Sequence, residues 1–306
     1  MKYLPLLLIA LVLASCANVS TCKLPPGVKP FPHCQKAPFA HEWTSCDGTK
    51  LPYIKALPKS GKPKAVVILV TGLDGVTGDY ASITQELTRH GYAVYGIENR
   101  STVYGPKKEQ GNPRDWHPWV KDFLGFQGKV RTFHPGLPVF WHGHSFGAVT
   151  ALAALHDLSK TEMPQGLILH SPAYTLMQKS NVFEAALGRA FGWVRLPHIT
   201  LMEAGDIRIT EDLIWDCQWK GSEDRVRAGI AVRFVTQARK MGRVSAAQLQ
   251  NLPVPTLAMW GRLDKIAPGL ASNDEFDQFM KSTLGGPAVT RVAFKPGGHI
   301  CPEVNA

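Results

Sequence analysis

The sequence of 306 residues has no internal repeat, no low-complexity tract and no cysteine spacing of the zinc-binding kind. The first two absences exclude repeat arrays and disordered chains; the third removes a structural zinc module. Charge is sparse: Asp, Glu, Lys and Arg make up 19% of the chain against 44% hydrophobic residues, an ordinary globular composition. Acidic residues are the scarcer sign, with 24 Asp and Glu against 34 Lys and Arg, for a formal net charge of +10. A basic balance marks nucleic-acid binding only when a recognition motif accompanies it, and none does, so nucleic acid is not an expected partner. Attraction to an anionic membrane surface, or a plain solvated surface, accounts for the excess.

The apolar run at the N-terminus, LPLLLIALVLA after Lys2, is too short to span a bilayer comfortably. A basic residue, a short apolar stretch and small residues describe a secretory signal over residues 1–15. Its end, Leu13-Ala14-Ser15-Cys16, resembles the lipobox of bacterial lipoproteins. That resemblance implies that Cys16 becomes the lipid-modified first residue of the mature chain and anchors it stably through several acyl chains. With Ala17 rather than Asp next, it also implies export to the periplasmic side of the outer membrane. Residues 16–40, rich in Pro and polar groups, read as a tether. Export permits disulfides. Apart from Cys16 the cysteines are Cys22, Cys34, Cys46, Cys217 and Cys301, an odd set that leaves one unpaired unless it bonds another chain. A bridge among Cys22, Cys34 and Cys46 would pin the tether; the pairing is open at this point, as is the oligomeric state.

From residue 41 the chain alternates strand, turn and helix. HEWTS and LPYIKAL read as an antiparallel pair around Cys46-Asp47-Gly48. AVVILVTG, PVFWHGHS, GLILHSPA and PTLAMWG are continuous apolar runs of the kind expected for strands buried on both faces. YAVYGIEN and VTRVAFKP are further strands. Helices are expected over SITQELTRHG, stopped by Gly91, over residues 112–133, over FGAVTALAALHDL and over ASNDEFDQFMKSTL. The pattern predicts an α/β fold, a mostly parallel central sheet with helices on both faces. Core segments cover residues 41–174 and 252–306. Between them, residues 175–251 show helix-like pieces and no clear strand, and read as a helical cap above the carboxyl edge of the sheet, where α/β proteins place ligands.

Gly143-His144-Ser145-Phe146-Gly147 lies between an apolar strand and a small-residue helix. Gly-x-Ser-x-Gly in that setting is a nucleophile elbow: the turn strains the serine backbone and the glycines relieve crowding. The following helix aims free N–H groups at the place where an oxyanion forms. A serine needs a base, and in such folds the acid and then the histidine follow in the chain. Asp264 follows the strand PTLAMWG, and His299 follows VTRVAFKP and a Gly-Gly pair. Ser145, Asp264 and His299 are therefore the candidate nucleophile, acid and base. The backbone N–H groups of Leu73 and Phe146 are the candidate oxyanion donors, and Asp74 is a turn former rather than an acid. How His299 is held so near the C-terminus is open, with Cys301 one candidate tie.

WVKDFLGFQGKV before LPVFWHGHSFGA, then GLILHSPA and VPTLAMWGRLDKIAP, resemble the monoacylglycerol lipase and lysophospholipase branch of the α/β-hydrolases, which is related to serine aminopeptidases. The likeness runs from about residue 41 to 300. Thr71 stands where that family usually has His. Arg100-Ser101-Thr102-Val103 replaces its Arg-Gly-His-Gly turn, and Ala148 a frequent glycine. The resemblance implies a lipid or other ester substrate, cleaved through an acyl-enzyme on Ser145 without metal or organic cofactor. Activity should fall in acid, because neutral His299 is the base. Phe183, Phe191, Trp193 and Val194 of the cap are candidate acyl contacts. A peptidase or acyltransferase on the same residues is an alternative, with Glu203, Asp206, Glu211 or Asp212 available to bind a substrate amine. A non-catalytic envelope binding protein is a third reading.

Overall fold

The computed structural model describes residues 39–300 apart from 60–61, 74, 178–199, 203–228, 265, 269–271, 287 and 296. The signal segment, Cys16, the tether and Cys301 lie outside the described residues, as do Cys22, Cys34 and Cys217. Cys46 lies within them and is exposed.

Apolar continuity decides the centre of the sheet. β1 (His41–Thr44) and β2 (Lys50–Ala56) form the antiparallel hairpin expected around Gly48, with Trp43 opposite Leu51. β3 (Ala65–Val70), β4 (Tyr92–Ile97), β5 (Val139–His144) and β6 (Gly166–His170) follow. β7 (Thr200–Met202) and β8 (Ile230–Ala231) make a separate antiparallel pair, where the sequence offered no clear strand. These strands are two and three residues long, too short to show a period. β9 (Thr256–Gly261) and β10 (Val289–Phe294) complete the main sheet of eight strands, ordered β1-β2-β4-β3-β5-β6-β9-β10. From β4 to β10 every neighbouring pair is parallel.

Alternate residues of β3 serve opposite faces. Val67 and Leu69 pack with Val94 and Tyr80 beneath α1 (Ala81–Arg89), whereas Val66, Ile68 and Val70 join the larger core. That core also takes Trp119, Phe123 and Phe126 of α2 (His117–Phe133) and the apolar face of α3 (Phe146–His156). Helix α2 starts at His117 rather than residue 112, because Pro118 suits the first turn, where its missing N–H costs nothing. Every residue of α3 from Phe146 to Leu155 is buried, so its small side chains reflect close packing on both sides. One of those sides is α4 (Val232–Ala246), whose Ser245 Oγ donates to Val149 O at 2.6 Å. α5 (Asn273–Ser282) begins with a capping box: Ser272 Oγ accepts from Glu275 N–H at 3.1 Å, and the Glu275 carboxylate accepts from Ser272 N–H at 2.9 Å. Parallel strands bring all their carboxyl ends to one edge, which gathers the loops after β3, β5, β9 and β10.

Candidate active site

Ser145 sits between β5 and α3 with φ 53° and ψ −117°, a left-handed backbone that a non-glycine residue adopts only under constraint. The flanking glycines are required by space. A Cβ on Gly147 would stand 2.1 Å from Val70 O, and one on Gly143 would stand 2.6 Å from Ala148 Cα. The main chain of Ser145 is held by its N–H to His170 O at 2.9 Å, and its carbonyl accepts from Ala148 N–H and Ala173 N–H. Its Oγ makes no hydrogen bond among the described residues.

Asp264 and His299 meet across two strand-end loops: His299 Nδ1 donates to Asp264 Oδ2 at 2.9 Å. The other carboxylate oxygen, Oδ1, accepts from the N–H groups of Ile266 and Ala267 at 2.8 and 2.9 Å. Burial alone would raise the pKa of Asp264, which is 1% exposed. The facing His299 and the two backbone donors outweigh it and hold the group below its ordinary value. An ionised Asp264 only accepts, so the proton of a neutral His299 lies on Nδ1 and Nε2 keeps a lone pair.

His299 is supported by main chain on one side and a side chain on the other. Leu263 N–H donates to Gly297 O at 2.8 Å, and Arg262 N–H to Phe294 O at 3.1 Å. Gly261 lies so close beneath this loop that a Cβ there would come within 2.1 Å of Gly298 O. From the other side, His144 Nε2 donates to His299 O at 3.0 Å. These contacts tie the loop; Cys301 lies outside the described residues.

The loop after β3 turns with Gly75 N–H donating to Gly72 O at 3.1 Å. Gly72 N–H points inward to Tyr80 Oη at 3.0 Å. Leu73 and Phe146 line one cleft with Gly72, Asn99, Thr102 and Phe234, which places both candidate oxyanion residues on the same opening. Asp74 lies outside the described residues. The Arg100 loop is fixed from below: its guanidinium donates to both carboxylate oxygens of Asp122 at 2.6 and 2.7 Å and to Asp47 at 2.9 Å. Ser101, where the resembled family has glycine, accepts from Trp119 Nε1–H at 2.9 Å.

Tyr80, His142, His144 and His170 are site neighbours that the sequence reading missed. Two histidines two apart in a buried strand, PVFWHGHS, had to share a face, and that was the available signal. His144 pairs with His170 across β5 and β6, with ring centroids 4.4 Å apart, and lies 4.7 Å from the His299 ring. Burial pushes His142 down to about 4, and neither of its ring nitrogens has a hydrogen-bond partner among the described residues. Burial likewise holds His144 and His170 well below the usual histidine range. The charge of His299 adds to this for His144, and the charges of the neighbouring histidines add to it for His170.

The elbow, the parallel sheet and the strand-end loops define a serine-dependent α/β-hydrolase. The chain belongs to the serine aminopeptidase S33 family, whose model matches residues 61–289. It is 26% identical to human monoglyceride lipase over 215 residues, covering 68% of this chain and 67% of that protein. Among solved structures it is similar to a soluble variant of Saccharomyces cerevisiae monoglyceride lipase, at a TM-score of 0.68 and 17% identity over 90% of this chain and 91% of that one. It is also similar to the Paleococcus ferrophilus monoacylglycerol lipase, at a TM-score of 0.60 and 21% identity over 81% of this chain and 90% of that one. Phe183, Phe191, Trp193, Val194, Glu203, Asp206, Glu211 and Asp212 lie outside the described residues.

Proposed function

We propose that the protein hydrolyses carboxylic esters of monoacylglycerol or lysophospholipid type through an acyl-enzyme on Ser145. The observation that carries this reading is the His299–Asp264 pair, held at strand ends beside the strained Ser145 elbow. His299 Nε2 takes the hydroxyl proton as Ser145 Oγ attacks the ester carbonyl, then delivers it to the departing alcohol oxygen. Asp264 fixes the imidazole tautomer and stabilises the imidazolium. The N–H groups of Leu73 and Phe146 receive the oxyanion. Water, deprotonated by His299, then attacks the acyl carbonyl, releasing the acid and restoring Ser145.

The names of the human, Saccharomyces cerevisiae and Paleococcus ferrophilus proteins support a lipid ester substrate. The family's own description keeps an aminopeptidase in view. A panel of p-nitrophenyl esters of rising chain length, a monoacylglycerol, a lysophospholipid and aminoacyl amides separates them. Esters should be turned over with higher kcat/KM than any amide; a preference for amides overturns the lipid reading. The lipobox supports anchoring through Cys16 at the periplasmic face of the outer membrane. Cys16→Ser should move the protein from the membrane to the soluble fraction, and unchanged fractionation overturns the anchor.

A further inference from the structure

We propose that Tyr80 and His144 form one hydrogen-bonded positioning unit that sets the catalytic base and the oxyanion loop relative to each other. The proposal rests on the acyl-enzyme reading of Ser145 and His299.

The direction of each hydrogen bond follows from its ends. His299 O can only accept, so His144 Nε2, 3.0 Å away, carries the proton. In a neutral imidazole Nδ1 is then an acceptor, and Tyr80 Oη, at 2.7 Å, donates to it. Tyr80 Oη in turn accepts from Gly72 N–H at 3.0 Å. Burial and the facing charge of His299 keep His144 neutral, which this order requires. One line of hydrogen bonds thus runs from the loop after β3, through the turn before α1 and the end of β5, to the carbonyl of the base after β10. Its third member, His144, is the residue immediately before Ser145.

Packing makes the link stiff. Tyr80, His144 and His299 are 2%, 4% and 5% exposed, so water cannot replace a lost partner. A Cβ on Gly72 would stand 3.1 Å from His144 Nδ1 and 3.3 Å from Ser145 Cβ, so the oxyanion loop rests on both residues. The engaged Gly72 N–H fixes its own peptide, and Gly72 O, accepting from Gly75 N–H at 3.1 Å, orients the next one, whose N–H belongs to Leu73. The line touches no substrate, and its value lies in the transition state, where base and oxyanion donors must both be in register. Misplacement on the order of 1 Å costs about 100-fold in such sites.

The test is Tyr80→Phe, which keeps the ring and removes the Oη hydrogen bonds to Gly72 and His144, assayed on a p-nitrophenyl ester and by the rate of fluorophosphonate labelling. The expected result is a kcat lower by about 10- to 100-fold, a parallel fall in labelling rate, and KM changed by less than about threefold. His144→Gln retains a donor and an acceptor and should keep more kcat than His144→Leu. Folded Tyr80→Phe at the unmodified kcat overturns the positioning role. If Tyr80→Phe does not accumulate as folded protein, the His144 pair decides, and equal kcat for Gln and Leu overturns it. An unmodified protein that is labelled at Ser145 but matched by Tyr80→Phe removes this role alone; one neither labelled nor active removes the acyl-enzyme reading and this role together.

Discussion

His144 Nε2 lies 3.0 Å from the carbonyl oxygen of His299, so the residue before the elbow serine holds the main chain of the histidine that faces Asp264. The two residues are 155 positions apart in the chain, and the β5 and β10 loops bring them together at one edge.

Asp264→Asn should fold, because the side chain can still accept from Ile266 and Ala267. The amide does not enforce the Nδ1–H tautomer of His299 or stabilise the imidazolium. The expected loss in kcat on a p-nitrophenyl ester is about 10³- to 10⁴-fold, with a modest fall in melting temperature as the charge-assisted bonds of the carboxylate are lost.

Stability should fall with acidity. His142, His144 and His170 have folded pKa values below those of the unfolded chain, so unfolding takes up protons once the pH drops below about 6.5. For His142 the loss grows down to its folded value of about 4 and amounts to roughly 3 kcal/mol. Asp264 acts in the same direction: its lowered pKa stabilises the fold above the ordinary carboxylate value, and that contribution is lost as pH falls through the folded value. Urea midpoints measured at about pH 7.5 and about pH 5 should show the drop, and His142→Leu should reduce it.

The Ser145 backbone stores strain that a glycine does not feel. Both Ser145→Gly and Ser145→Ala remove the nucleophile, but only glycine relaxes φ 53°. Ser145→Gly should be the more stable of the two by about 1 kcal/mol in chemical denaturation. Ser145→Ala the more stable by the roughly 0.5–1 kcal/mol that glycine's extra backbone entropy costs would mean that the elbow is not strained.

Arg100 and Asp122 are buried together, with Ser45 Oγ also donating to Asp122 at 2.5 Å. Arg100→Met leaves the Asp122 carboxylate buried without its cation and should cost about 3–5 kcal/mol. Arg100→Met combined with Asp122→Leu should recover most of that loss. Denaturant titration of the single and double variants reads it directly.

The centre of the sheet was legible because β3, β5, β6 and β9 are short apolar runs closed by Gly or Ser, and burial on both faces leaves no alternation to confuse. As candidates, Ser145 and Asp264 were legible because each follows such a run, and His299 because a histidine is expected after the acid and the last strand. The support of His299 was not. It depends on β9 and β10 pairing so that Gly261 lies opposite Phe294, which sets Leu263 N–H under Gly297 O. Tyr80 was hidden in a Gly-Asp-Tyr turn, where an aromatic residue reads as one more core side chain. The β7–β8 pair escaped because two or three residues carry no period.

Fluorophosphonate labelling followed by peptide mapping, on the unmodified protein and Ser145→Ala, bears most directly on the proposed chemistry. One adduct per chain on Ser145, absent from Ser145→Ala and formed faster as pH rises from acid toward neutral, is the expected result. An unlabelled protein, or an adduct on another residue that persists in Ser145→Ala, would contradict it.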